Sequence, residues 1–101
     1  MIEFIREKLP QEELLAQLAE EAAELSQAAL KMRRVLDGTN PTPVRLSAAY
    51  DNIREEIADV KLCLRVLGFD PNAPEYDHAG DRKLRRWADR LQKARQGDAH
   101  A

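Results

Sequence analysis

Six carboxylates in this chain form two sets with the same spacing. Each set has two adjacent acids and a third acid three residues later: Glu20, Glu21 and Glu24, and then Glu55, Glu56 and Asp59. Positions i and i+3 share one face of an α-helix, so the last two acids of each set can point the same way. Carboxylates that converge from two packed helices repel each other unless a cation lies between them. An all-oxygen donor set suits a hard divalent ion, so the spacing predicts a site for Mg2+, with Mn2+ as the alternative.

The competing interpretation is that these acids are ordinary solvated charges, as most glutamates on helices are. At about 100° per residue, however, Glu21 lies beside the apolar stripe of its helix and Glu56 lies at the edge of the stripe of the other. Few bases share these faces, because Lys31 lies a turn or more away and Lys61 and Arg54 project elsewhere. An unpaired charge beside an apolar seam is costly. The positions therefore favour a metal site over a charged helix flank.

The ligand types also restrict the chemistry of the site. Mg2+ keeps open water positions and binds phosphate oxygens. A carboxylate-bridged di-iron bundle also draws acids from packed helices, but it needs Glu-x-x-His pairs. The two histidines, His78 and His100, lie far from the acidic sets. The sequence therefore predicts Mg2+ ions that hold a polyphosphate and generate a hydroxide for in-line attack.

The elements that must position these acids are helices. Ala, Leu, Glu and Arg dominate the composition, and only 5% of the residues are aromatic, which favours helix throughout. A short leading segment, residues 2–8, ends before Pro10. Apolar periodicity and the Pro and Gly breakers then predict three long helices: residues 11–37, a segment from 46 or 47 to 67, and a segment that begins between 75 and 81 and ends near 97. The predicted inward stripes are Leu14, Leu18, Ala22, Leu25, Ala29, Met32 and Leu36, then Leu46, Tyr50, Ile53, Ile57, Val60, Leu64 and Leu67, and finally Leu84, Trp87, Ala88, Leu91 and Ala94.

The predicted architecture is all-α: an antiparallel helical hairpin plus a C-terminal helix. We expect one domain over residues 1–97 and a frayed tail at 98–101. A unit of this size has a thin core, so we expect a four-helix-bundle-like core that forms by self-association as a homodimer or homotetramer. The single cysteine, Cys63, permits no intrachain disulfide and is expected to be a small buried residue. The chain has no bilayer-length apolar run and no signal-peptide pattern, so we expect a cytoplasmic protein with no membrane partner.

Basic residues cluster in the last helix, although the net charge of the chain is only −2. This balance does not favour a nucleic-acid partner. Lys83, Arg86 and Arg90 form a strip within about 60° on this helix, which suits either contacts to a triphosphate or a solvated or partner-facing basic surface. Asn52 shares a side with Glu56, and it either hydrogen-bonds substrate or a metal ligand or is a surface residue. Lys31 either meets phosphate or faces solvent.

The two acidic sets and the basic strip together resemble a known family. Glu20-Glu21-x-x-Glu24 followed by Glu56-x-x-Asp59 resembles the EExxE…ExxD signature of the MazG-like all-α nucleoside triphosphate pyrophosphohydrolases. The context of residues 52–60, the connector of residues 38–43 and the run Lys83-Leu84-x-Arg86-x-x-x-Arg90-Leu91 are similar to the same phage and bacterial group. The resemblance covers about residues 14–92. The two motifs lie slightly further apart than is typical, which the Pro-rich connector accounts for.

The resemblance implies Mg2+-dependent hydrolysis of a (deoxy)nucleoside triphosphate to the monophosphate and pyrophosphate, in the service of nucleotide-pool house-cleaning. By position it implies four metal ligands: Glu21, Glu24, Glu56 and Asp59. Glu20 and Glu55 then have catalytic roles, either positioning the water or supporting a ligand. A phosphoribosyl-ATP pyrophosphatase-like enzyme is one alternative. A non-catalytic nucleotide-binding or helical interaction module is another.

Overall fold

The computed structural model describes residues 1–41 and 43–100, with side chains described as far as Gly97. The described residues form four helices and no strand: α1 (Ile2–Lys8), α2 (Gln11–Asp37), α3 (Leu46–Leu67) and α4 (Pro74–His100). The all-α prediction is confirmed, the bounds of α2 and α3 agree with the periodicity, and the short leading segment forms α1. No helix in the described part of the chain is long and apolar enough to cross a bilayer.

Proline and glycine set the ends of the two long helices of the hairpin. Pro10 holds an extended backbone (φ −69°, ψ 159°) directly before α2, which suits a ring that fixes φ and offers no N–H. Gly38 and Gly68 end α2 and α3 in the left-handed region, at φ 77° and 94°. Only glycine enters this region without a steric penalty, so both glycines act as C-terminal caps.

The fourth helix is longer than the sequence predicted. It begins at Pro74 and continues through Gly80 to His100, whereas the breakers predicted a start between 75 and 81 and an end near 97. Proline is favoured in the first helical turn, and one glycine costs only about 1 kcal/mol relative to alanine, which is too little to end a helix of this length. The side chains of residues 98–100 and all of Ala101 lie outside the described part, so the frayed tail stays a prediction.

The chain divides into two compact units. The first is Met1–Asp70, in which α2 and α3 pack as an antiparallel hairpin and α1 contacts α3. Arg6 joins α1 to the C-terminal end of α3, since its Nε donates to the carbonyl of Val66 at 2.6 Å and its Nη2 donates to the carbonyl of Arg65 at 2.8 Å. The second unit begins at Pro71 and contains α4. The single domain over residues 1–97 stays a prediction.

The core of the described chain is small. Its buried apolar residues are Ala28, Ala49 and Val66. Eight residues of the predicted inward stripes are half-buried: Leu14, Leu18, Leu25, Met32, Ile53, Val60, Leu64 and Leu67. The other stripe residues are exposed in the single chain, so their coverage by self-association stays a prediction: Ala22, Ala29, Leu36, Leu46, Tyr50, Ile57, Leu84, Trp87, Ala88, Leu91 and Ala94. A two-helix contact covers a narrow strip at small side chains and leaves bulky residues on its flanks open to solvent.

Candidate metal and phosphate site

Three of the predicted acids converge across the hairpin. Glu21 and Glu24 come from α2 and Glu56 comes from α3, and one carboxylate oxygen from each lies within 4.8 Å of the other two. The i and i+3 spacing places the first two on one face of α2. The packing of α2 against α3 then brings Glu56 to the same place. The arrangement is a cluster of oxygen donors from two helices.

Two oxygens in this cluster are buried without a hydrogen-bond partner. Glu21 and Glu56 are half-buried and Glu24 is exposed. Within the part of the chain that the structure describes, Oε2 of Glu21 and Oε2 of Glu56 are closed to solvent and accept no hydrogen bond. Buried carboxylate oxygens carry a large desolvation cost unless a donor or a cation compensates it. The chemistry of these two atoms therefore suits a positively charged ligand.

The pKa of Glu21 reports the same negative environment. Burial raises the pKa of this carboxyl above its ordinary value, and the neighbouring negative charge of Glu24 raises it further. A hydrogen bond from Gln17 Nε2 to Glu21 Oε1, at 2.9 Å, works in the opposite direction. The charge of Asp59 adds a smaller upward contribution. Without a cation, the folded protein disfavours the ionised form of Glu21.

The other predicted acids lie near this cluster but are not part of it. Asp59 is exposed, and its charge acts on Glu21, but it is not among the three converging carboxylates. Glu20 and Glu55 are exposed neighbours of cluster residues on α2 and α3. The role of Asp59 as a fourth metal ligand stays a prediction. The catalytic roles of Glu20 and Glu55 stay predictions as well.

A pocket of about 580 Å³ adjoins the cluster. Glu24 and Glu56 form part of its wall, and the predicted substrate residues Lys31 and Asn52 line it as well. Arg34 also lines this pocket, although it was not predicted from the sequence as a substrate-binding residue. The missed signal is the spacing on α2, because Arg34 follows Lys31 by three residues and shares a helix face with it.

The basic strip lies in the second unit. Arg86 and Arg90 line a pocket of about 390 Å³ together with Asp89, whose carboxylate forms an ion pair with Lys93 at 3.0 Å. Lys83 is exposed. The phosphate-binding role of this strip stays a prediction.

Cys63 lies at a second cavity of the first unit, of about 410 Å³. Apolar residues of all three helices form most of its wall, among them Ile5, Leu14 and Leu62. The Cys63 thiol is half-buried, and burial raises its pKa, followed by the charges of Glu21 and Asp59. A thiol with a raised pKa stays protonated and is a poor nucleophile. This environment agrees with the expectation of a packing residue.

The donor chemistry of the cluster fits a hard divalent cation. All its ligand atoms are carboxylate oxygens, which Mg2+ and Mn2+ prefer and which soft metals bind less readily. A cation held by Glu21, Glu24 and Glu56 would give both partnerless oxygens a positive partner. Two of the three carboxylates, Glu24 and Glu56, also line the adjoining pocket.

Comparisons of the chain with protein-family models, with curated proteins and with solved structures found no match. The similarity of the acidic motifs to MazG-like enzymes is therefore a likeness of short sequence patterns. The function has to be inferred from the side chains of the site.

Proposed function

We propose that this protein is a Mg2+-dependent nucleoside triphosphate pyrophosphohydrolase. It converts a (deoxy)nucleoside triphosphate to the monophosphate and pyrophosphate. The proposal is supported chiefly by the convergence of three carboxylates, two with a partnerless buried oxygen, at the edge of a pocket that also holds cationic side chains. Negative and positive groups in one pocket suit a ligand that binds as a metal–polyphosphate complex.

In this proposal the cluster residues bind the metal and orient the substrate. Glu21, Glu24 and Glu56 would hold Mg2+, with Asp59 as a fourth ligand, and the bound ion would supply Lewis-acid polarisation of the phosphate oxygens. An exposed acid of the pair Glu20 and Glu55 accepts the proton of the attacking water. The water oxygen forms a new bond to phosphorus while the anhydride bond between the α and β phosphates breaks. Pyrophosphate then leaves.

Other residues complete the proposed site. Lys31 and Asn52 line the pocket and contact the substrate from α2 and α3. Phosphate binding by Lys83, Arg86 and Arg90, in the second unit, is a separate proposal that rests on the motif resemblance alone. By the motif resemblance, the substrates are surplus or modified nucleotides, and the biological role is nucleotide-pool house-cleaning.

We further propose that the protein works as a homodimer or homotetramer. Large apolar side chains on both helices of the hairpin remain exposed, for example Leu30 at 53% and Ile57 at 42%. Pairing two hairpins would cover such residues and form a four-helix bundle.

The test is a pyrophosphate-release screen over standard and modified nucleoside triphosphates, deoxynucleoside triphosphates and phosphoribosyl-ATP, with Mg2+ and with a chelator. Glu56→Gln should abolish release while leaving the helix content intact, because it removes a ligand charge without changing the shape of the side chain. Glu12→Gln, which removes one exposed charge from the first turn of α2, is the matched control and should keep activity.

The outcomes separate the alternatives. Release that persists in Glu56→Gln, or that does not depend on metal, would contradict the proposed mechanism. Cleavage confined to phosphoribosyl-ATP would identify the related pyrophosphatase. Thermal stabilisation by Mg2+ plus nucleotide without any cleavage would indicate a non-catalytic nucleotide-binding module.

A further inference from the structure

The pocket beside the acid cluster contains two kinds of charge along one helix. Glu24 lies at the end that adjoins the cluster, and Lys31 and Arg34 follow on α2. At 1.5 Å per residue the two cations lie about 10 Å and 15 Å further along the helix axis. Across the pocket, Asn52 lies one turn before Glu56 on α3. The pocket is therefore negative at one end and positive at the other.

The geometry of α2 directs both cations toward the acids. Side chains in an α-helix lean toward the N-terminus, which for Lys31 and Arg34 is the direction of Glu24. Among the described residues, neither cation forms an ion pair with the acids of the pocket. Arg34 acts on Asp37 only as a minor charge that lowers the pKa of that carboxyl, after the hydrogen bonds from Thr39.

We infer that Arg34 and Lys31 bind the pyrophosphate portion of the substrate, while the carboxylates hold the metal at the other end of the phosphate chain. This inference rests on the proposed function, and it adds Arg34 as a substrate-binding residue. The guanidinium group matches two phosphate oxygens with paired donors, and the Lys31 ammonium adds a compact charge. Two like charges on one helix face repel, so an anion between them is stabilised by both. The α2–α3 hairpin then carries both the metal-binding half and the phosphate-binding half of the site.

The test is calorimetric titration of the full chain with inorganic tripolyphosphate in the presence of Mg2+. This probe contains the phosphate chain without base or sugar and needs no turnover. Arg34→Gln should raise the Kd at least about tenfold, the expected loss of a charge-assisted contact. Lys31→Gln should weaken binding in the same direction. Arg34→Lys, which keeps the charge but loses the paired donors, should fall between wild type and Arg34→Gln.

Arg33→Gln is the matched control. Arg33 is the exposed neighbour of Arg34 on α2 and does not line the pocket, so the substitution changes the net charge equally. The backbone carbonyl of Arg34 accepts the bonds from the amides of Thr39 and Asn40, which a change of side chain leaves in place. Helix content should therefore be the same in both variants.

Each result decides the inference. Selective weakening in Arg34→Gln and Lys31→Gln supports it. Equal Kd values for Arg34→Gln and Arg33→Gln would overturn it, as would wild-type protein that does not bind tripolyphosphate. Binding that depends on Arg34 in a protein that cleaves no nucleotide would refute the proposed hydrolase and leave the phosphate site standing. Nucleotide cleavage together with an unchanged Kd for tripolyphosphate in Arg34→Gln would refute the phosphate site and leave the proposed hydrolase standing.

Discussion

At the scale of single residues, the feature that carries most meaning is a pair of carboxylate oxygens without partners. Glu21 Oε2 and Glu56 Oε2 are closed to solvent and accept no hydrogen bond from the described residues. A protein normally satisfies such atoms, because a buried charge without a partner lowers the stability of the fold. Both atoms belong to the three-carboxylate cluster. A cation bound by this cluster would remove the loss of stability, so the same cost favours cation binding.

Glu21→Gln should therefore have opposite effects on thermal stability without and with metal. The raised pKa of Glu21 shows that the folded state disfavours its negative charge, so the neutral variant should melt at a higher temperature than wild type in chelator. In saturating Mg2+ the wild type should gain stability and the variant should gain much less. Melting curves in chelator and in Mg2+ measure both effects.

Gln17→Ala is a useful companion variant, because Gln17 donates to Glu21 without offering a carboxylate. It should leave most of the Mg2+ response in place. An equal Mg2+ response in wild type and Glu21→Gln would contradict the assignment of Glu21 as a ligand.

At the scale of elements, one side chain joins α1 to the end of α3 by two hydrogen bonds. Arg6 donates to the carbonyls of Arg65 and Val66 at the end of α3, where the helix dipole is negative. The Arg65 carbonyl also accepts a hydrogen bond from the amide of Gly68. The exposed position of Arg6 limits the strength of this contact, but two donors act on the same helix end.

Arg6→Met should lower the stability of the fold by about 1 kcal/mol, or roughly 4–8 °C in the melting temperature for a domain of this size. Methionine keeps the apolar stem and removes both donors. Arg33→Met, at an exposed position on α2, is the control for loss of a positive charge. Equal melting temperatures for the two variants would show that Arg6 does not anchor α1.

The end of α2 has its own local support, which depends on pH. The Asp37 carboxylate accepts hydrogen bonds from the hydroxyl and the backbone N–H of Thr39, and these bonds lower the pKa of Asp37 below its ordinary value of 3.8. A carboxyl with a lowered pKa in the folded state stabilises the fold above the unfolded-state pKa, and this contribution is lost as the pH falls through the folded-state pKa.

Asp37→Ala should therefore melt below wild type at neutral pH, and the difference should shrink under acid conditions below pH 3.8. Urea or thermal unfolding across a pH series measures the difference. Asp81→Ala, which removes an exposed acid from α4, controls for the change in net charge. A difference that is constant over the whole series would rule out the carboxylate as its source.

At the scale of the whole molecule, the small core and the exposed apolar residues need explanation. Three apolar residues are buried in the described chain, whereas Leu30, Tyr50 and Ile57 stay more than 40% exposed on α2 and α3. A domain of this size buries less of its surface than a larger one and is correspondingly marginal. Exposed apolar residues on one hairpin are the kind of surface that a second copy can cover.

Ile57→Lys should shift the protein toward monomer, because a charge in an apolar interface costs more than it does on an open surface. Sedimentation at micromolar concentration should show a dimer or tetramer for wild type and a smaller species for the variant. Ala58→Lys, at the next exposed position of α3, introduces the same charge and should change the assembly less. A wild type that sediments as a monomer would refute the proposed assembly.

The amino-acid sequence alone determined the helices and the local part of the site. Proline, glycine and a period of 3–4 residues specify α2 and α3 because each acts within a few residues of the chain. The length of α4 was underestimated, since a breaker such as Gly80 carries only a small penalty that the rest of a long helix outweighs. The i and i+3 pairing of Glu21 with Glu24 is equally local and was predictable.

Only the tertiary structure decided which of these local features meet. The register of α3 against α2 brings Glu56 to Glu21 and Glu24 and leaves Asp59 outside the converging set. The same register places Arg34 in the pocket beside Lys31 and leaves Ile57 exposed in the single chain. Periodicity defines the faces of each helix separately, whereas the contacts between faces depend on how two particular surfaces fit together, and a single helical stripe does not contain that information.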